Sequence, residues 1–238
     1  MYDILYVIGD SYTTPNFCVP VGDSYWKKFG ELIQADTIVN HSHSGKCNQN
    51  MLRNAMRFCL DNSDKKIFVL IGLTTIYRLD HQDYSFENNE NKENGNMAEL
   101  YIHNFDVHKN KSMGDYDKWF VDKWTYEHTF CNLANSIIAH SCFFESKNVD
   151  YLIHNCSVPL NEDIYNPFLK SFCIELKNKK SIPNLFTNTY YSLNKEKGIK
   201  PADFEQYGWM GHHGEEGNRV YFEYLKQVYE REYLTLKK

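Results

Sequence analysis

The sequence lacks several features that would assign it at once to a class of protein. Its longest apolar run, residues 67–73, is too short to cross a bilayer. No block of basic residues stands out in a chain with a net charge of -5. Its 7 cysteines are widely spread and form no C-x-x-C pair, which is typical of thiols in a reducing compartment. We therefore expect neither a membrane nor a nucleic acid as partner.

The composition is also not that of a chain with a secretory leader or of a disordered protein. No basic stretch followed by an apolar one opens the sequence, so we predict no secretory signal and a cytoplasmic location. Alanine is scarce whereas Asn, Lys, Tyr and Ile are plentiful, a bias typical of AT-rich genomes, phage genomes included. For a phage-encoded protein the expected location is the host-cell cytoplasm or the virion. Aromatic residues make up 16% of the chain, which excludes a disordered protein.

What the sequence does contain is an alternation of apolar runs and amphipathic helical patterns. The runs at residues 4–8, 37–40, 67–72 and 150–158 predict strands, and such alternation favours parallel βαβ units. We predict a three-layer α/β/α sandwich with a mostly parallel five-stranded sheet in the flavodoxin-like order 2-1-3-4-5. One domain is expected over residues 1–238, with a lid-like insertion at about 81–124 where the regular pattern stops.

Polar turns follow the first three predicted strands. They are Gly9-Asp10-Ser11, residues 44–48 and Gly72-Leu73-Thr74, and a fourth polar cluster, residues 211–214, precedes the last helix. The carboxyl ends of parallel strands meet at one edge of a sheet, so these turns are expected to converge there. A serine, a distant histidine and backbone N–H donors are the groups that acyl transfer requires. Asp10 is expected to hold the serine turn by hydrogen bonding.

These blocks resemble those of the SGNH, or GDSL-type, hydrolases, in the same order along most of the chain. Gly9-Asp10-Ser11 resembles the family's opening block, and Gly45, followed by Asn48, resembles the second. Thr74 stands where the family has the asparagine of Gly-x-Asn-Asp, as in many phage-encoded relatives that carry a threonine or serine followed by an arginine. His212 resembles the histidine of the last block, Asp-x-x-His.

The resemblance implies a role for each matched residue. Ser11 would be the nucleophile and His212 the catalytic base, with His213 as the other candidate for the base. The oxyanion hole would be formed by the N–H groups of Ser11 and Gly45 and by the hydroxyl of Thr74. Arg78, which follows the third strand, is a candidate substrate-binding residue; the alternative is an arginine paired with a neighbouring aspartate.

One departure from the family pattern concerns the group that orients the histidine. The position three residues before His212 is Trp209 instead of an aspartate. Asp203, Glu205 or a backbone carbonyl remain as alternatives. A histidine without a carboxylate partner is a weaker base, because the carboxylate also stabilises the imidazolium.

The expected function is therefore that of a serine esterase or deacylase acting on a small ester, such as an O-acetyl group on a carbohydrate, without a cofactor. Trp119 and Trp124 of the predicted lid would then stack on sugar rings; anchoring the loop is their alternative role. The missing aspartate motivates a second hypothesis, a degenerate relative that binds carbohydrate or protein without turnover. A metal-dependent hydrolase using His41 and His43 together with His212 and His213 is a third, although no metal-binding signature supports it, and we expect no metal.

Overall fold

The main sheet of the protein is parallel, with its first strand in the interior. A computed structural model describes residues 1–16, 19–44, 46–74, 76, 79–80, 99–100, 126–157, 159–160, 167–179, 181–203, 205 and 211–234. Within this part of the chain, the sheet contains the strands β1 (Tyr2–Gly9), β2 (Ala35–Asn40), β3 (Ile67–Leu73) and β6 (Asp150–Asn155), and β4 (Leu79–Asp80) and β5 (Glu99–Leu100) form a separate antiparallel pair. The order of the strands in the sheet is β2-β1-β3-β6.

Helices cover both faces of the sheet and produce the predicted three layers. They are α1 (Tyr25–Leu32), α2 (Asn48–Asp61), α3 (Tyr126–Ser146), α4 (Pro167–Asn178), α5 (Tyr190–Glu196) and α6 (Glu215–Tyr229), the last continuing into a π-helical turn at Glu230–Leu234. Helices α2, α3 and α4 pack on one face of the sheet, and α1, α5 and α6 pack on the other. None of the helices in the described ranges is long and apolar enough to span a membrane.

Strand β1 shows why these strands have unbroken apolar runs. Successive side chains of a strand point to opposite faces of the sheet. Leu5 and Val7 lie in the core beneath α1 and α6, whereas Tyr6 and Ile8 lie in the core beneath α2 and α3. All four are buried because both faces are covered by helices. The parallel α/β fold class is therefore confirmed.

The predicted fifth strand is the point at which the described structure differs from the expectation. Residues 181–185 run along the outer edge of β6, where Ile153 N–H donates to Ser181 O at 2.9 Å. The next contact uses a side chain, because Asn155 N–H donates to Asn184 Oδ1 at 2.8 Å. Pro183 has no N–H to offer a ladder. The segment thus covers the edge of the sheet without forming a regular strand. The described sheet therefore has four strands, and numbering only these four along the chain gives the spatial order 2-1-3-4.

The predicted lid-like insertion at about 81–124 lies outside the described residues, apart from the two residues of β5. Its candidate sugar-stacking residues, Trp119 and Trp124, lie outside them as well.

Candidate active site

The serine turn is held against the carboxyl edge of the sheet by a pair of aligned glycines. Gly9 at the end of β1 is paired in register with Gly72 of β3. A Cβ atom added at either glycine would overlap the hydroxyl of Thr13. Thr13 N–H and Thr14 N–H donate to Asp10 O at 2.9 and 3.0 Å. The absence of side chains at the glycines therefore makes room for the turn that carries Ser11.

Ser11 is in hydrogen-bond contact with a histidine from the loop before α6. The Oγ atom of Ser11 lies 2.8 Å from Nε2 of His212. On the other side of the ring, Nδ1 of His212 lies 2.7 Å from Oδ2 of Asp203. The backbone N–H of His212 also donates to Oδ1 of Asp203, at 2.5 Å. Asp203 thus binds both the ring and the backbone of His212, and it is the orienting residue among the alternatives that the sequence leaves open.

The approach of Asp203 to His212 depends on local backbone features. Ala202 N–H donates to His212 O at 2.8 Å, so the segments before and after residues 206–210 lie side by side. A Cβ atom at Gly211 would overlap Oδ1 of Asp203 and press against Pro201. Glycine at position 211 therefore allows the carboxylate to reach the N–H of His212.

This arrangement determines the tautomer of His212. A carboxylate only accepts hydrogen bonds, so Nδ1 of His212 carries a proton that it donates to Asp203. Nε2 is then an acceptor for the hydroxyl proton of Ser11. A serine whose proton is accepted by an oriented imidazole is the arrangement of an activated nucleophile.

The neighbouring histidine has a different environment. His213 is buried and packs edge-on against Tyr190 at 5.3 Å between ring centroids. Burial lowers the pKa of His213 to about 4. The histidine that contacts Ser11 is therefore His212 and not His213. Glu205, the other acidic residue considered as a partner of His212, is exposed.

Thr74 lies beside the serine turn for a reason set by strand register. It comes two residues after Gly72, as Ser11 comes two residues after Gly9, and the two glycines are paired. Asn48 binds Thr74 on both backbone groups: Thr74 N–H donates to Asn48 Oδ1 at 2.8 Å, and Asn48 Nδ2 donates to Thr74 O at 3.1 Å. Because its N–H is occupied, Thr74 has its hydroxyl as the remaining donor.

The two hydrogen bonds between the Asn48 side chain and the Thr74 backbone are not predicted by the sequence analysis. The helix α2 is capped by the preceding residue, Cys47, whose Sγ accepts from Asn50 N–H at 3.4 Å. The side chain of Asn48 is therefore released to bind the end of β3.

The remaining predicted site residues lie partly within and partly outside the described residues. Gly45, Arg78 and Trp209 lie outside the described residues. His41 and His43 are exposed on the segment after β2. In the described ranges, no group of three or more His, Cys, Asp or Glu side chains is placed to hold a metal ion.

A buried polar layer lies beneath the serine turn, between the sheet and helices α1 and α6. Thr13 Oγ1 lies 2.7 Å from the hydroxyl of Tyr25 and 4.0 Å from Sγ of Cys156. Cys156 Sγ lies 3.5 Å from Nδ1 of His154, and that nitrogen is 2.9 Å from the hydroxyl of Tyr221. Burial lowers the pKa of His154 to about 3, so its imidazole is neutral at ordinary pH.

Fold and site together define an α/β protein with a Ser-His-Asp chain at the carboxyl edge of its sheet, the geometry that serine hydrolases use.

The sequence matches no family model and no curated protein. Among solved structures, it is similar to a member of the lipolytic G-D-S-L family from Veillonella parvula (12% identity, 96% of this chain and 98% of that chain, TM-score 0.49). It is also similar to the psychrotrophic esterase EstA from Pseudoalteromonas (11%, 96% and 97%, 0.49) and to the acetyl xylan esterase AlAXEase (13%, 94% and 98%, 0.47).

The neutral state of His154 predicts a specific pH dependence of stability. Between its ordinary pKa of 6.5 and its lowered pKa of about 3, the unfolded chain binds a proton that the folded chain does not. The free energy of unfolding should therefore fall as the pH is lowered through this window, by about 1.4 kcal/mol per pH unit for this group. Urea unfolding should be measured between pH 4 and 6.5. The increase of the unfolding free energy with pH should be smaller in His154→Gln than in the wild-type protein, by about this amount. His43→Gln, at an exposed position, is the control and should keep the slope; an unchanged slope in His154→Gln would contradict the prediction.

Proposed function

We propose that this protein is a serine hydrolase of the SGNH type, which cleaves a small ester through an acyl-enzyme. The observation that carries the proposal is the hydrogen-bonded chain from Asp203 through His212 to Ser11, with contacts of 2.7 and 2.8 Å. The three side chains come from two loops at the same edge of the sheet, where open α/β sheets bind their ligands.

In the first half of the reaction, Ser11 Oγ attacks the carbonyl carbon of the ester while its proton passes to Nε2 of His212. The resulting imidazolium is stabilised by the carboxylate of Asp203. When the tetrahedral intermediate collapses, the bond between carbon and the alkoxy oxygen breaks. His212 gives its proton to that oxygen, so an alcohol leaves and the acyl group remains on Ser11.

In the second half, a water molecule takes the place of the alcohol. His212 accepts a proton from the water as its oxygen attacks the acyl carbon, and it returns the proton to Ser11 Oγ as the serine leaves. The products are a carboxylic acid and a free enzyme, so one water molecule is consumed for each ester cleaved.

The negative charge on the carbonyl oxygen requires donors that have no competing partner. Within the described residues, the N–H of Ser11 and the hydroxyl of Thr74 form no hydrogen bond, whereas the N–H of Thr74 is bound by Asn48. Ser11 N–H and the Thr74 hydroxyl are therefore the donors that we assign to the oxyanion hole. Gly45 is the third proposed donor, and Arg78 remains a proposed substrate-binding residue.

The hypothesis of a degenerate binding protein loses its motivation in this structure. It rested on the absence of an aspartate three residues before His212. Asp203 supplies a carboxylate to the same imidazole from nine residues upstream, which supports turnover over binding alone.

The catalytic assignment predicts the effect of removing each member. Ser11→Ala and His212→Ala should reduce turnover of p-nitrophenyl acetate to background. Asp203→Asn should lower kcat by about 10⁴-fold, because its amide places an NH2 donor where one of the two carboxylate oxygens accepts from His212. Intact-mass spectrometry should detect one fluorophosphonate adduct on the wild-type protein and none on Ser11→Ala.

Glu205→Gln provides the matched control for Asp203→Asn, because it neutralises an exposed carboxylate two residues away. It should keep kcat within about 3-fold of wild type, because the exposed side chain of Glu205 is not part of the hydrogen-bonded chain from Asp203 to Ser11. Turnover by Ser11→Ala at the wild-type rate would refute the assignment.

The recessed position of the nucleophile predicts a preference for short acyl groups. Ser11 is only 7% exposed. The ring of Tyr12 lies 5.0 Å from that of His212 and 5.6 Å from that of Tyr190, forming an aromatic wall beside the nucleophile. We therefore expect kcat/KM to decrease from p-nitrophenyl acetate to butyrate to octanoate; an increase along this series would contradict the proposal. Acetylated sugars are the proposed natural class, because the sequence of the predicted lid contains Trp119 and Trp124, a residue type that can stack on sugar rings.

The proposed role of Thr74 predicts different outcomes for two substitutions. Thr74→Val keeps the shape but removes the hydroxyl, and it should lower kcat by about 10²–10³-fold with little change in KM. Thr74→Ser keeps the donor and should remain within about 5-fold of wild type, since the hydroxyl is what the oxyanion requires. Steady-state kinetics at a temperature where both variants are folded checks the prediction. Equal activity of the two variants would exclude the hydroxyl as a donor.

A further inference from the structure

The contact between Ser11 and His212 joins residues that are 201 positions apart in the chain. Asp203 orients His212 from its own side of the site, and within the described residues its side chain hydrogen-bonds to His212 and not to the serine turn. Something else must keep the two loops in register, because a misplacement of about 1 Å in an active site can cost about 100-fold in rate.

Asn218, in the first turns of α6, binds the histidine side. It is buried, and its Nδ2 donates to His213 O at 3.2 Å and to Gly214 O at 3.1 Å. The same Nδ2 lies 3.1 Å from the hydroxyl of Tyr190, which in turn donates to His213 O at 3.3 Å. The backbone immediately after His212 is thus held by the Asn218 amide and by one hydroxyl bound to it.

The other end of the same amide reaches the serine side. Asn218 Oδ1 accepts from the backbone N–H of Tyr25 at 3.2 Å. The hydroxyl of Tyr25 lies 2.7 Å from Oγ1 of Thr13, whose N–H closes the serine turn on Asp10 O at 2.9 Å. Thr13 and Tyr25 are fully buried, so water does not compete for these hydrogen bonds.

We propose that Asn218, acting through Tyr25, is a positioning residue that sets the distance between Ser11 and His212. This inference rests on the proposed function, because it concerns the geometry of the same nucleophile and base. Asn218 touches neither reacting atom; its effect is to tie the loop after His212 to the turn that carries Ser11.

Another buried asparagine offers a closely matched control. Asn184 also has four side-chain polar contacts: its Oδ1 accepts from Asn155 N–H, and its Nδ2 lies 3.0 Å from Asn188 O, 3.4 Å from Asn155 O and 2.9 Å from the hydroxyl of Tyr221. Three of these contacts lie in β6 and the segment beside it, and the fourth reaches Tyr221 of α6; none is made to the serine turn or to the histidine loop. Asn184→Ala and Asn218→Ala therefore remove equal numbers of buried hydrogen bonds, but only the latter loosens the tie between the two loops.

The experiment measures kcat and KM for p-nitrophenyl acetate, and the rate constant of fluorophosphonate labelling, at a temperature where circular dichroism shows each variant folded. Asn218→Ala should lower kcat and the labelling rate about 100-fold, with KM within about 3-fold of wild type. Asn184→Ala should keep both rates within about 3-fold of wild type. In a His212→Ala background, Asn218→Ala should cause no further loss of labelling, because it acts through the histidine.

Tyr25→Phe is the second variant, because it breaks the tie at Thr13 while keeping the buried ring, and it is available if Asn218→Ala does not fold. Like Asn218→Ala, Tyr25→Phe should lower both kcat and the rate of fluorophosphonate labelling, without a change in KM. Wild-type rates in either folded variant, or equal losses in Asn218→Ala and Asn184→Ala, would overturn the positioning role. Absence of turnover and labelling in the wild-type protein would instead overturn the proposed function itself.

Discussion

The structure depends on the alignment of two glycines at the carboxyl ends of adjacent strands. Gly9 and Gly72 face each other across the β1–β3 pairing, and the space they leave is filled by Thr13. This places a buried hydroxyl directly above the sheet, where it binds Tyr25. A side chain at either glycine would lift the turn and move Ser11 away from its partner. The register of the sheet therefore fixes the position of the serine turn, and the position of the turn fixes the geometry of the site.

Much of this arrangement can be predicted from the sequence, because it follows from local patterns. Strands covered by helices on both faces need unbroken apolar runs, and β1 and β3 have them. The order of the polar turns predicts that Ser11 and His212 meet at the carboxyl edge, and their atoms are 2.8 Å apart. Parallel topology requires the strand ends to converge there, so the prediction needs no knowledge of the loops.

The remaining features depend on tertiary contacts that leave little local trace. Asp203 is nine residues before His212, and it reaches the ring only because the backbone of Ala202 pairs with that of His212 and position 211 lacks a side chain. The fifth strand was expected from topology, but Asn184 presents a side-chain oxygen to β6 in place of a backbone carbonyl. Side chains that substitute for backbone groups are not visible in a hydrophobic pattern.

The long separation between Ser11 and its partners has a consequence for biosynthesis. The ribosome adds about 5–20 residues per second, so the 201 positions between Ser11 and His212 correspond to an interval of about 10–40 s. Strands β1, β2 and β3 are complete by Leu73 and can begin to pair well before His212 is translated. During this interval the serine has neither its imidazole nor its carboxylate. Under the proposed function, the nascent chain would therefore be inactive towards esters until the segment leading into α6 has emerged and docked.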